Sequence, residues 1–305
     1  MPIPADDNSY AFLDCGNGRR LERFSGILAE RPAPAASCVP ALPPTIWKKA
    51  RLHFGPGCGW TGDAPENWRV AFGRAVLNLR PAGGGQLGVF PEHAAVCGLL
   101  EEKIAARRLP AGSLRILNLF AHTGLATLRL AAMPETGEVA HVDASRGAVR
   151  AARNNAAASG LADAPVRWLA DDALAFAARE ARRDRRYGLV LADPPAHGRD
   201  KKSGRDWNLG RDAATLLGLA AELLEPGGML CLTCHSGGWD GEAAMRLMDG
   251  IPGLPPNRLA HKLALSSAIG GNSLPAGFMV LACQKTPPRD MNVTRQRKGD
   301  LLKGE

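Results

Sequence analysis

The 305-residue chain predicts an α/β protein: an open, Rossmann-like sheet of seven strands with a terminal antiparallel hairpin, preceded by a small β-rich domain. Three observations carry this. A buried strand, Ile116-Leu117-Asn118-Leu119, runs into a tight turn, Phe120-Ala121-His122-Thr123-Gly124. A second strand ends in Val142-Asp143, an acid about 20 residues on, the spacing of nucleotide-binding α/β folds. A fourth strand ends in Asp193-Pro194-Pro195.

The elements follow in order. Strand-like runs at 10–14 and 20–29 flank the turn signal Cys15-Gly16-Asn17-Gly18. The stretch 32–44 is a Pro/Ala connector without a regular element. Residues 47–54, 68–72 and 75–79 cluster apolar side chains as strands do, and 86–90 is extended after the break Gly83-Gly84-Gly85. A helix is expected over 92–107, with Ala95, Val96, Leu99, Leu100 and Ile104 at helical spacing. From Leu114 strands alternate with helices: strands over 114–120, 138–142, 166–169, 189–192 and 229–233, helices including 147–158 and 173–183. This alternation gives a parallel sheet covered on both faces. Pro226-Gly227-Gly228 stops a helix and starts a strand. Strands 258–265 and 277–283 are joined only by a Gly/Asn/Pro loop and should pair antiparallel. The domains expected are 1–90, β-rich; 91–284, the α/β domain; and 285–305, a basic flexible tail.

Apolar residues make up 45% of the chain, ordinary for a globular protein. No apolar run reaches the roughly 20 residues of a membrane span. The start, Met1-Pro2-Ile3-Pro4-Ala5-Asp6-Asp7, has neither the basic nor the apolar region of a secretory signal. Seven scattered cysteines fit reduced thiols, so a cytoplasmic location is expected. The net charge of +8 favours phosphate-bearing partners.

The order and spacing of the motifs are those of an S-adenosylmethionine-dependent methyltransferase. The turn from Phe120 to Gly124 would bring backbone close to the methionine part of that cofactor, and Gly124, lacking Cβ, permits the approach. Thr123 can offer a hydroxyl, and Asn118 can bond the amino-acid end. Asp143 can accept both ribose hydroxyls, with Ser145 close by to cap the next helix. After the third strand, Asp172 is expected to take the adenine amino group and Asp171 to cap the helix. A nicotinamide dehydrogenase would need G-x-G-x-x-G, and this turn has one glycine. At Asp193-Pro194-Pro195 two prolines remove two backbone donors and leave acceptors, which suits holding an exocyclic amine in line with a methyl group. Arg199, Lys201, Lys202, Arg205 and Arg211 beside Trp207 suit an RNA backbone with a stacked base, or else a solvated loop with Trp207 packed on the body. Cys231-Leu232-Thr233-Cys234 matches C-x-x-C, but positions three apart in a strand face opposite ways, so no metal is expected.

The chain resembles a bacterial family of class I methyltransferases close to the large-subunit ribosomal RNA cytosine methyltransferases. The resemblance rests on Leu13-Asp14-Cys15-Gly16-Asn17-Gly18-Arg19-Arg20-Leu21-Glu22-Arg23-Phe24, Leu87-Gly88-Val89-Phe90-Pro91-Glu92, Leu117 to Gly124, Val142-Asp143-Ala144-Ser145, Asp193-Pro194-Pro195 and Leu274-Pro275-Ala276-Gly277-Phe278. It implies the class I sheet, S-adenosylmethionine as cofactor, RNA, and ribosomal RNA first, as substrate, and Phe90 and Glu92 near the cofactor. Two departures stand out. Family members commonly read Asp-Pro-Pro-Lys, whereas Ala196 and His197 follow here. The cytosine enzymes carry Ser-Cys-Ser-Gly after strand five, whereas this chain has Cys234-His235-Ser236-Gly237. Carbon-5 methylation needs a thiolate to add to the ring first. Aligned on Ser-Gly, His235 holds that position and Cys234 is one residue early, which in a strand points to the other face. Catalytic candidates are therefore Asp193, Pro194, Pro195 and either Cys234 or His235. A methyltransferase for a small molecule or protein, and a silent RNA-binding factor, are the alternatives.

Overall fold

The computed structural model describes residues 9–199, 206–235 and 238–284. Lys201, Lys202, Arg205, Ser236, Gly237, the first eight residues and the tail 285–305 lie outside the described residues.

The N-terminal region begins with β1 (Tyr10–Gly16), β2 (Arg19–Phe24), β3 (Ile27–Pro32), α1 (Pro44–Trp47), β4 (Leu52–Gly55) and β5 (Gly59–Thr61), and the strands form one sheet in that order. A hairpin of β6 (Arg69–Phe72) and β7 (Ala75–Asn78) follows. Three expectations change here. The run 20–29 is two strands, because Ser25 and Gly26 both take left-handed backbone (φ 48° and 80°), a tight hairpin turn. Trp47 closes a short helix opened by Pro44 rather than starting a strand. Residues 86–90 form no strand; Gln86 makes an isolated bridge to Ala82.

The second region contains α2 (His93–Ala106), β8 (Leu114–Leu119), α3 (Leu125–Ala131), β9 (Thr136–Asp143), α4 (Arg146–Ala158), β10 (Val166–Ala170), α5 (Ala173–Arg182) and β11 (Tyr187–Ala192). Then come the short β12 (His197–Arg199) and β13 (Asp206–Asn208), α6 (Leu209–Leu223), β14 (Leu224–Cys234), α7 (Gly241–Asp249), β15 (Asn257–Leu265) and β16 (Leu274–Cys283). The seven-stranded sheet runs β10-β9-β8-β11-β14-β16-β15, parallel except where β16 pairs antiparallel with β14 and β15.

Strand alternation sorts the core into two layers. Leu117, Leu119, Val190, Ala192, Leu230, Leu232 and Cys234 pack with α5, α6 and α7. Ile116, Leu189, Leu191, Met229 and Cys231 pack on the other face with α2 and α3. The two cysteines of the C-x-x-C run thus enter opposite layers. A third cluster joins Phe24, Leu52, Trp68, Val70 and Leu77 to Leu125, Leu128 and Ala156, so the N-terminal strands share a core with α3 and α4. At the other end Asp14 accepts from the backbone of Leu42 and Asn272 and from the Trp47 indole, which ties β1 to the β15–β16 connection.

A cavity at the carboxyl edge of the sheet

The order of the sheet reverses between β8 and β11, and open α/β sheets bind ligands in the crevice beyond such a point. A small cavity open to solvent lies there, lined by Phe90, His93, Asn118, residues 120–126, Leu191 and Asp193. Its floor is the turn after β8. Phe120 (φ 57°), His122 (φ 50°) and Gly124 (φ 92°) are all left-handed. For the two non-glycines this costs about 1–2 kcal/mol each, and such strain gathers at functional sites. Surrounding bonds hold it: Ala121 N–H donates to Val142 O, His122 N–H to Asp143 Oδ2 at 2.8 Å, and the Thr123 hydroxyl to Gly88 O at 2.6 Å. At Gly124 a Cβ would sit 3.0 Å from the Ala152 Cβ, so glycine lets α3 and α4 meet.

Strand parity decides which end-of-strand residues reach this cavity. Asp193 continues the face of Leu189 and Leu191, and Thr233 and His235 continue the face of Met229 and Cys231. That face is the one α2 covers, and α2 brings His93 at its first turn. The Thr233 hydroxyl donates to Asp193 Oδ1 at 2.6 Å. His93 Nε2 lies 3.2 Å from Asp193 Oδ2, His235 Nε2 lies 3.4 Å from Oδ1, and the two Nε2 atoms are 3.1 Å apart. His235 Nδ1 is 2.7 Å from Ala276 O and 3.6 Å from Glu92 Oε1. Phe90 lies against both rings, stacked on His235 at 6.1 Å. Cys234 points the other way. It is 1% exposed, within the apolar layer of Ala244, Met248 and Phe278. This corrects the expectation that its thiol could face the target; the one-residue offset puts it across the sheet.

The electrostatics follow from this cluster. Burial alone would raise the Asp193 carboxyl, but the charges and hydrogen bonds of His93 and His235 hold it well below the usual carboxylate range. Burial would lower His235, yet the hydrogen bond and charge of Asp193, then the charge of Glu92, lift it to about 9. His122 is held below the ordinary imidazole range chiefly by burial, against the pull of Asp143 and Asp193.

The structure gathers Phe90, Asn118, Phe120, Thr123, Gly124 and Asp193 around the cavity; His235 lies behind Asp193, and Glu92 behind His235. Asn118 donates to Thr127, which in turn meets His141 Nδ1 at 2.8 Å. Asp143 accepts from His122 N–H with one oxygen and from Ser145 N–H with the other, and Ser145 caps α4. Asp172, not Asp171, caps α5 by accepting from Ala175 N–H at 2.8 Å; Asp171 instead pairs with Arg179. Pro194 and Pro195 bend away, with the Pro195 carbonyl accepting from the Trp207 indole at 2.6 Å. Trp207 is buried against Phe120 at 4.9 Å, so it packs on the body and is not a platform for a base. Sequence reasoning missed His93, His122 and Thr233. The one available signal was the scarcity of histidine: of seven in the chain, three converge here.

Comparison with known proteins agrees with this architecture. Residues 98–237 match the family model described as the methyltransferase small domain. The chain is similar to a solved SAM-dependent methyltransferase from Agrobacterium tumefaciens, with 28% identity, TM-score 0.82 and coverage of 93% of this chain and 94% of that one. A structure from Streptococcus mutans shares the fold at TM-score 0.68 and 15% identity, over 90% of this chain and 75% of that one. Two relatives carry the name ribosomal RNA large subunit methyltransferase K/L. The protein from Methylococcus capsulatus is 34% identical over 48% of this chain and 19% of its own length. That from Shewanella frigidimarina is 30% identical over 51% of this chain and 20% of its own. The matches thus span about a fifth of these longer relatives.

Proposed function

We propose, from the match of residues 98–237 to the methyltransferase small domain model, that the chain is an S-adenosylmethionine-dependent methyltransferase acting on a base of RNA, ribosomal RNA first. The observation that carries the reading is that the turn after β8 and Asp193 after β11 line one crevice, with the acid ending β9 hydrogen-bonded to that turn through His122 N–H. The residues fit the cofactor. Gly124 lies in the floor of the cavity, and each Asp143 oxygen, having accepted one backbone N–H, keeps a lone pair for a ribose hydroxyl. Asn118 faces the amino-acid end, and Phe90, Phe120 and Thr123 wall the site. Asp172 keeps one oxygen besides the one that caps α5, and that oxygen suits the adenine amine. When bound, the cofactor supplies an electrophilic methyl group on a good leaving group, so catalysis rests mostly on positioning.

On the acceptor side Asp193 stays ionised and is oriented by Thr233, so it can accept from an amine brought to the cavity. The names of the relatives that match here, and the net charge of +8, favour RNA over a small molecule. With Cys234 buried across the sheet, a covalent carbon-5 route through that thiol has no support. The test is transfer of labelled methyl from S-adenosylmethionine to total RNA from cells lacking the protein, with cytosolic protein in parallel. Label in ribosomal RNA is expected, and nucleoside digestion then names the atom. Label in protein alone, or in neither fraction, would sink the RNA reading.

A further inference from the structure

We propose that His93, Asp193 and His235 form a binding site for a divalent cation of the zinc(II) class, opening onto the cavity. No metal was expected from the sequence, because the ligands come from α2, the end of β11 and the end of β14, far apart along the chain. The spacing is the first observation. Contacts of 3.1, 3.2 and 3.4 Å separate the two imidazole Nε2 atoms and the carboxylate oxygens, and all three ligand groups fall within 4.8 Å. Ligands about 2.0–2.1 Å from a tetrahedral ion stand about 3.3 Å apart, so the three groups outline one face of such a site.

The surrounding groups are the second observation. His235 Nδ1 lies 2.7 Å from the Ala276 carbonyl, which can only accept, so that nitrogen carries a proton and Nε2 is left as the ligating one. The Thr233 hydroxyl donates to Asp193 Oδ1 and fixes the carboxylate, leaving Oδ2 turned to His93. Gly277 makes this approach possible: a Cβ there would lie 2.2 Å from Cys234 O and 3.0 Å from the His235 Cα. Glu92 is the third observation. It is 7% exposed, its Oε1 lies 3.6 Å from His235 Nδ1, and its buried Oε2 has no hydrogen-bond partner among the described residues. A buried carboxylate beside the His235 imidazole supplies negative charge that a dication needs.

Three protein ligands leave a fourth position, and His93 and Asp193 turn it to the cavity. An oxygen or ring nitrogen of the methyl acceptor would fit there; only this last step rests on the methyltransferase reading. The test is calorimetric titration of the full-length protein with Zn²⁺ alone, and metal analysis after dialysis. One equivalent is expected in the wild type and in the exposed-site variant His261→Gln. His93→Gln and His235→Gln, checked for fold by circular dichroism, should bind at least 10-fold more weakly. Titration with Co²⁺ should give the visible bands of a tetrahedral complex. Absence of stoichiometric Zn²⁺, or equal binding in the two histidine variants, overturns the site. S-adenosylhomocysteine is titrated separately: a protein that binds it but takes up no Zn²⁺ ends the cation site and spares the methyltransferase reading, and one that takes up Zn²⁺ but does not bind it does the reverse.

Discussion

At the scale of single residues, orientation matters more than residue type. Cys234→Ala should leave methyl transfer within about twofold of wild type while lowering stability by about 1 kcal/mol, the cost of a small buried cavity; loss of transfer in the folded variant would restore the thiol as nucleophile. Asp143→Ala should weaken S-adenosylhomocysteine binding by at least tenfold, and RNA binding far less, by calorimetry. Equal cofactor affinity would mean the ribose lies elsewhere. His141 gives a pH signature. It is fully buried, and burial, then the charge of His122, hold it down to about 3. The unfolded chain therefore takes up a proton that the folded one refuses. Stability is complete above the ordinary histidine value and falls as pH drops toward about 3, by about 1.4 kcal/mol per pH unit. Urea melts between pH 7 and 5 should show a steeper loss for wild type than for His141→Gln. Asp193 was legible because Asp-Pro-Pro follows a strand. His93 and Thr233 were not, since 100 and 40 positions separate them from it and only the fold brings them together.

At the scale of elements, most parallel strands were legible because they are short apolar runs bounded by turns, with ends shifted by a residue or two; β14 instead starts at Leu224 and takes in Pro226-Gly227-Gly228, expected as the turn before it. The N-terminal run failed because Arg19–Phe24 and Ile27–Pro32 are both strand-like and the reversal between them needs just Ser25 and Gly26. Trp47 read as strand because an aromatic after a proline-rich stretch has no helical period to reveal α1. The element that decides the site is the turn into α3. Gly124→Ala adds a left-handed penalty of about 1–2 kcal/mol and crowds Ala152. It should lower both the unfolding midpoint and the affinity for S-adenosylhomocysteine. Gly84→Ala, left-handed as well but with open space around it, should lower only the midpoint.

At the scale of the whole molecule, the β-rich region and the α/β sheet share a core, so the boundary expected near residue 90 is not a mechanical one. Heat should unfold both in one transition. The same region holds a buried ion pair, with Arg31 Nε 2.5 Å from Glu22 Oε2 and the Tyr10 hydroxyl 2.9 Å from Oε1. Arg31→Met should cost about 3–5 kcal/mol in chemical denaturation, since it strands a buried carboxylate, whereas replacing both partners with apolar residues should cost far less. The position of β16 has a consequence in time. It is the last strand among the described residues, yet it lies between β14 and β15. While a nascent chain still lacks residues 274–283, the edge of β14 is open and β15 has no neighbour in the sheet. The Ala276 carbonyl that orients His235 arrives with that strand. Competence for chemistry is therefore withheld until the sheet closes, and a ribosome stalled before this point carries a chain with an exposed, pairing-prone edge.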